Sequence, residues 1–237
     1  MTGPIVVVTG ASSGIGLALA RAFASEGHAL LLIARHMKPL DDLPAERTAY
    51  AEADVTDYAA LEAAIRSAEQ EFGKTACLIN NAGMADARAF SDVEPEAFAR
   101  EIDVNLKGVL NGTKVVIGDM AAAKSGTIIN ISSVSDRKTS PVAVGYTASK
   151  YAVRAAGESL REAVGMQGVR VINVAPAYIK TNIHHGMGVS FEEYCRILGN
   201  PDFLSAEELA EIVLYCWKLP STICIRDIVV APTRSGF

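Results

Sequence analysis

A chain of 237 residues is about 1.6 times a typical ~150-residue domain, which favours one large domain over two small ones and excludes a disulfide-stapled mini-protein. Half of the residues are hydrophobic and 21% are charged; that supplies enough apolar surface to offset chain ordering, so wholesale disorder is excluded too. With 22 Lys and Arg against 27 Asp and Glu the net charge is −5, and the lack of a basic block argues against nucleic acid as a partner.

Met1 to Pro4 lead straight into an apolar strand at 5–8, and the first cation is Arg21. No secretory leader is expected, and the mature chain is expected to begin at Met1. A turn, Thr9-Gly10-Ala11-Ser12-Ser13-Gly14-Ile15-Gly16, precedes helical spacing over 17–24. Glycines there let the backbone approach a pyrophosphate, whose charge the N–H groups at the helix N-terminus receive. The spacing is G-x-x-x-G-x-G, and an ordinary strand-to-helix turn is the alternative.

Further strands are predicted at 29–33, more weakly at 48–53, and at 77–79, 127–131, 169–174 and 225–230. None approaches the ~20 apolar residues that span a membrane. Helices are predicted at 61–72 and as one long element over 98–120, with Pro95 in a first turn. Ser205 and Glu208 read as a capping box opening a helix toward Trp217, which Pro220 helps to stop. The loop-like stretch 176–201, with a short helical candidate at 191–198, reads as a lid, placed at about 177–204 of a single domain covering 1–237.

The strands are continuously apolar rather than alternating, and they alternate with helices. The pattern defines an α/β fold, a doubly wound, largely parallel sheet of seven strands with helices on both faces. Cys77, Cys195, Cys216 and Cys224 lack ligand spacing and read as structural thiols of a reducing cytoplasm. His184 and His185 read as loop histidines, and no metal site is expected.

The glycine turn, Asn80-Asn81-Ala82-Gly83, Ser133 and Tyr146-Thr-Ala-Ser-Lys150 together resemble the short-chain dehydrogenase/reductase family, over almost the whole chain. The resemblance implies a Rossmann-type sheet in the order 3-2-1-4-5-6-7, NAD or NADP as hydride carrier, and a homodimer or homotetramer. A carbonyl that receives a hydride builds up charge on its oxygen, so a donor must supply a proton, and a phenol of ordinary pKa ~10 is too weak an acid to do so freely. Tyr146 and Lys150 stand four apart at the start of a helix and share a face, and an ammonium beside the phenol favours its ionised form. By resemblance Ser133 orients the carbonyl, with Ser132 and Ser135 as competitors, and Asn105 holds a water linking Lys150 to solvent.

The remaining assignments concern the cofactor. After the second strand Ala34 stands where an acid would accept from the ribose of NAD, and Arg35 can fork onto a 2′-phosphate, so NADP is preferred over NAD. A solvated arginine is the alternative. Gly10, Ser12, Ser13, Gly14, Ile15 and Gly16 form the phosphate turn; Asp54 and Val55 resemble the adenine contact, Asp54 reading equally as a helix N-cap; Asn81, Ala82 and Gly83 resemble the adenosine support. Tyr146 and Lys150 are expected to touch the cofactor as well, and Pro176, Ala177, Ile179 and Thr181 resemble the nicotinamide loop, with Ala177 where glycine is usual, so that a slightly different loop path is expected. The stretch 219–233 resembles a branch with enzymes for serine and small 3-hydroxy acids, or serves as a subunit edge. The expected activity is NADP-dependent interconversion of a secondary alcohol and a carbonyl, on a small-molecule substrate and without membrane partners. An NAD-linked dehydrogenase of a diol or bulkier alcohol, and a non-catalytic cofactor-binding regulator, are the alternatives.

Overall fold

A computed structural model describes residues 3–86, 88–181, 183 and 189–235; His184 and His185 lie outside them. Seven parallel strands form one sheet: β1 (Ile5–Thr9), β2 (Ala29–Ala34), β3 (Thr48–Glu52), β4 (Thr75–Asn80), β5 (Gly126–Ile131), β6 (Val169–Pro176) and β7 (Asp227–Val230), in the order β3-β2-β1-β4-β5-β6-β7. The order reverses between β1 and β4, and in an open sheet of this kind the crevice beyond the strand ends at that point receives ligands.

Alternation along the strands feeds two apolar layers. Val6, Val8, Leu30, Leu32, Ile129 and Ile172 pack under α1 (Gly14–Ser25) and α7 (Ala206–Lys218), against Leu19, Phe23, Leu209 and Val213. Ile5, Val7, Leu31, Ile33, Ile128 and Val171 pack on the other face against Leu61 and Ile65 of α2 (Tyr58–Phe72) and Val115 and Met120 of α4 (Gly108–Ala122). Each fully buried Leu or Ile contributes roughly 1.5–3 kcal/mol, which is why the inner strands read as unbroken apolar runs. The capping box of Ser205 and Glu208 is present, and Pro95 opens α3 (Pro95–Ile102).

Two elements differ from the sequence reading. The expected single helix over 98–120 is interrupted: α3 ends at Ile102, a π turn covers Asp103–Lys107, and α4 begins at Gly108. Gly108 sits so close to Val55 that an added Cβ would lie 2.6 Å from Val55 Cγ2. β7 starts at Asp227 instead of Ile225, and as an edge strand it is only partly buried. The Arg226 carbonyl just before it accepts from the Asn173 N–H and from Arg161.

Three buried asparagines stand in register across the sheet, Asn80 on β4, Asn130 on β5 and Asn173 on β6. Asn80 donates to Asn130 Oδ1 (2.9 Å) and to Thr113 (3.3 Å), forming a polar row inside the apolar layer beneath α2 and α4. The four cysteines are free, and burial raises the Cys77 thiol well above its ordinary range. No helix among the described residues is long and apolar enough to cross a membrane.

Candidate active site

The glycine turn joins β1 to α1 at the sheet's crevice. Gly10 and Gly14 adopt left-handed backbone (φ 66 and 54), which glycine takes without steric cost. A Cβ on Gly16 would lie 2.3 Å from the Gly10 carbonyl oxygen and 2.6 Å from Asn81 Nδ2. Asn81 donates to the carbonyls of Thr9 (2.9 Å) and Gly10 (3.2 Å), while the Thr9 hydroxyl accepts from the N–H groups of Asn81 (3.0 Å) and Ala82 (3.1 Å). Thr9, which the sequence reading did not single out, therefore ties the turn to the end of β4. Ser12 and Ser13 are exposed, Ser13 makes no side-chain cap bond, and the first turn of α1 carries no acid. The helix N-terminus is thus open to an anionic group, and the cradle fits a dinucleotide pyrophosphate.

Arg35 follows β2 directly, is exposed and takes part in no hydrogen bond or ion pair among the described residues; His36 and Lys38 beside it are exposed as well. Asp54 does not cap α2, since Asp57 does so by accepting from the Ala60 N–H. The Asp54 carboxylate instead accepts from the N–H (2.9 Å) and hydroxyl (2.8 Å) of Thr56 and from Arg100. Although burial pushes that carboxyl up, these bonds and the charge of Arg100 hold it down at about 2. Arg100 was not legible in the sequence, because its partner lies 46 residues earlier. Val55 is fixed by Gly108 and by Asn111, which donates to its carbonyl (2.9 Å).

Ser133 follows β5 and caps a 3-10 turn, Val134–Asp136, its hydroxyl accepting from the Ser135 N–H (3.1 Å). Helix α5 (Val144–Val164) begins two residues before Tyr146. Ser133 faces the Tyr146 phenol and lowers its pKa, whereas the buried Ser132 hydroxyl has no hydrogen-bond partner among the described residues. Tyr146 and Lys150 share one face, with the ammonium nitrogen 5.6 Å from the centre of the phenol ring. Lys150 is buried and donates to the Ile131 carbonyl (2.9 Å). In the chain by itself burial outweighs the expected lowering of the phenol: Tyr146 is pushed up to about 12, Ser133 opposing, and burial pushes Lys150 down to about 8.

Asn105 lies in the π turn, a feature common at functional sites. Its amide donates to the Met84 carbonyl (2.9 Å) and to Ser149 Oγ (3.0 Å) and accepts from the Met84 N–H (2.9 Å). The side chain is therefore engaged in pinning the segment after β4 to α5. A Cβ on Gly83 would come within 3.3 Å of Asn105 Oδ1 and 3.8 Å of Lys150 Nζ, so the three meet at one spot.

One cavity of about 350 Å³ brings these elements together, lined by Ile15, Asn81, Ser133, Tyr146, Lys150 and Thr181 among others. Pro176, Ala177 and Ile179 line it too. Ala177 is buried and donates its N–H to Val230, and the left-handed residue of this loop is Tyr178 (φ 50). Ile179 bridges to Leu204, closing the ends of the 177–204 segment on each other. Thr181 approaches Gly14, where an added Cβ would lie 3.3 Å away. No cluster of metal-ligating side chains occurs among the described residues.

The chain belongs to the short-chain dehydrogenase family, whose model matches residues 4–188. It is an oxidoreductase of the class that acts on CH–OH groups with NAD or NADP. It is 32% identical over 98% of its length to a glycine betaine reductase of Emericella nidulans, of which it spans 19%, and 31% identical to an uncharacterized oxidoreductase of Listeria monocytogenes, covering 97% of this chain and 96% of that one. Among solved structures it is similar to an alcohol dehydrogenase of Thermococcus sibiricus complexed with 5-hydroxy-NADP (TM-score 0.84, 26% identity, 96% and 95% of the two chains). It is similar also to a serine dehydrogenase of Escherichia coli (TM-score 0.83, 27% identity, 98% and 100%).

Proposed function

We propose that the chain is an NADP-dependent enzyme interconverting a secondary alcohol and a carbonyl, with a small 3-hydroxy acid as substrate. The observation that carries this reading is the meeting of Ser133, Tyr146 and Lys150 in one cavity with the glycine turn and Thr181. When bound, the nicotinamide supplies or accepts the hydride. Ser133 orients the carbonyl, Tyr146 gives its proton to the carbonyl oxygen in reduction and takes it back in oxidation, and Lys150 favours the phenolate. Asn105 keeps Met84 and Gly83 beside Lys150, where the proton is restored. Gly10, Ser12, Ser13, Gly14, Ile15 and Gly16 receive the pyrophosphate, Asp54 and Val55 the adenine, Asn81, Ala82 and Gly83 the adenosine half, and Pro176, Ala177, Ile179 and Thr181 the nicotinamide.

Lys138 and Lys150 line the cavity, and no acidic side chain does among the described residues, a charge balance that favours a carboxylate-bearing substrate. The apolar wall of Met84, Val134, Val142 and Ile197 favours the second reading, a bulkier alcohol. Rates of NADPH oxidation across aldehydes, ketones and keto acids separate the two: faster turnover of bulky apolar ketones than of small keto acids overturns the first. The 177–204 segment serves as the substrate lid of a single domain. A homodimer or homotetramer is the assembly proposed, and the free thiols support a cytoplasmic setting.

Cofactor choice rests on Arg35. Replacing it, as Arg35→Asp, removes a charge-assisted contact to the 2′-phosphate and adds repulsion, so preference is expected to move toward NAD by roughly 10–100-fold. Michaelis constants for both cofactors check this, and equal or better use of NAD by the unaltered protein overturns it. Reduction, which needs the Tyr146 proton, is expected to decline as pH rises into the alkaline range, while oxidation improves. Initial rates in both directions against pH test the sign; flat profiles contradict the assignment.

A further inference from the structure

Asp136 is fully buried, at 0% exposure, three residues after Ser133 and at the end of the same 3-10 turn. Its N–H donates to the Ser133 carbonyl (2.9 Å). One carboxylate oxygen accepts from Arg137 Nε (2.6 Å), and the other from Asn173 Nδ2 (2.9 Å) and Arg137 Nη2 (3.3 Å). Asn173 stands on β6, so the carboxylate fastens the serine-bearing turn to the neighbouring strand. A buried charge is expensive unless it is paired and hydrogen-bonded, and both oxygens of this carboxylate are held, by Arg137 and Asn173, within the turn that carries Ser133.

We propose that Asp136 is a positioning residue of the active site, holding the Ser133 turn on β6 and setting the electric field in which Tyr146 and Lys150 work. The inference rests on the catalytic reading given above. The negative charge of Asp136 raises the pKa of both Tyr146 and Lys150. It opposes the desolvation that favours loss of the Lys150 proton. Other charged and titratable groups facing this spot are Arg137 on the turn, Lys138 just after it in the cavity lining, Asp227 on β7, bound by Arg137 (2.8 and 3.0 Å), Arg154 on α5, 3.6 Å from Asp227, Glu101 on α3 and Tyr194 on α6. Arg137 opposes Asp136 directly, which makes the two separable by substitution.

Asp136→Asn keeps the shape and removes the charge. The pH limbs of kcat/KM, measured for reduction and oxidation, are expected to move to lower pH by ~0.5–1 unit, because the negative charge that raises both groups is gone. Arg137→Gln removes the opposing cation and is expected to move the same limbs to higher pH. A purely structural role would lower kcat without moving either limb. Limbs at wild-type positions in both variants, or displaced in the same direction, overturn the proposal, and Arg137→Gln decides alone if Asp136→Asn does not fold. Tyr146→Phe assayed alongside separates the two levels: turnover retained by that variant defeats the catalytic reading, whereas its loss together with unmoved limbs defeats Asp136 only.

Discussion

Tyr146→Phe is expected to lower kcat by roughly 10²–10⁴-fold, the usual worth of a positioned acid or base, while cofactor affinity stays within about twofold of the unaltered protein. Phenylalanine keeps the ring that lies 5.6 Å from the Lys150 nitrogen and fills the same space, so packing on α5 is preserved. Only the hydroxyl that meets Ser133 is removed. Steady-state turnover beside NADPH binding followed by fluorescence checks both halves. Activity near the wild-type level would show that another group moves the proton, and a matching loss of NADPH binding would show that the hydroxyl acts through cofactor binding and not through proton transfer.

The second large effect belongs to Gly16. Ala in its place brings a methyl to 2.3 Å from the Gly10 carbonyl oxygen and 2.6 Å from Asn81 Nδ2. The first of these is backbone and cannot swing away. Overpacking of this kind costs ~1–3 kcal/mol, so the melting temperature should drop by several degrees at about 2–4 °C per kcal/mol for a chain of this size. Because Asn81 also holds the Thr9 and Gly10 carbonyls, relieving the clash shifts the phosphate turn. A displacement near 1 Å is enough to cost ~10²-fold in turnover or cofactor use. Gly118→Ala, with nothing within 4 Å of the added carbon, is the matched control and should be neutral or slightly stabilising. Equal melting and equal cofactor constants for Gly16→Ala and the control would refute the account.

Much of the architecture was legible because the inner strands are buried on both faces and therefore write themselves as unbroken apolar runs. The seven strands and their order follow from that pattern and from the resemblance. What escaped was decided by partners far away in sequence. The long run 98–120 carries helical spacing throughout, and the π turn within it answers to Val55 pressing on Gly108 and to Met84 and Ser149 gripping Asn105. β7 begins where the Arg226 carbonyl takes up the Asn173 N–H, the first bond of its pairing with β6, two residues into the apolar run.

The site shows the same division. Tyr146, Lys150 and the glycine turn are local spacings and could be read directly. Asp54 offered two roles in sequence, and the cap went to Asp57 while Arg100 took hold of the Asp54 carboxylate. The substitution of Ala177 for glycine signalled an altered loop, and the left-handed bend is found on Tyr178. The lowered phenol was inferred from one neighbour alone; the interior around Tyr146 pulls the other way, because desolvation of a buried hydroxyl is a sum over everything packed around it.

The row of Asn80, Asn130 and Asn173 bears on how the sheet is proofread during folding. Were β5 to pair one residue out of step, every side chain on it would change sides. Asn130 would then face the aliphatic packing of Val8, Ile79 and Leu209, far from the amide of Asn80. Misthreaded arrangements are thereby penalised at the centre of the molecule, where Ser133 and the phosphate turn must later converge.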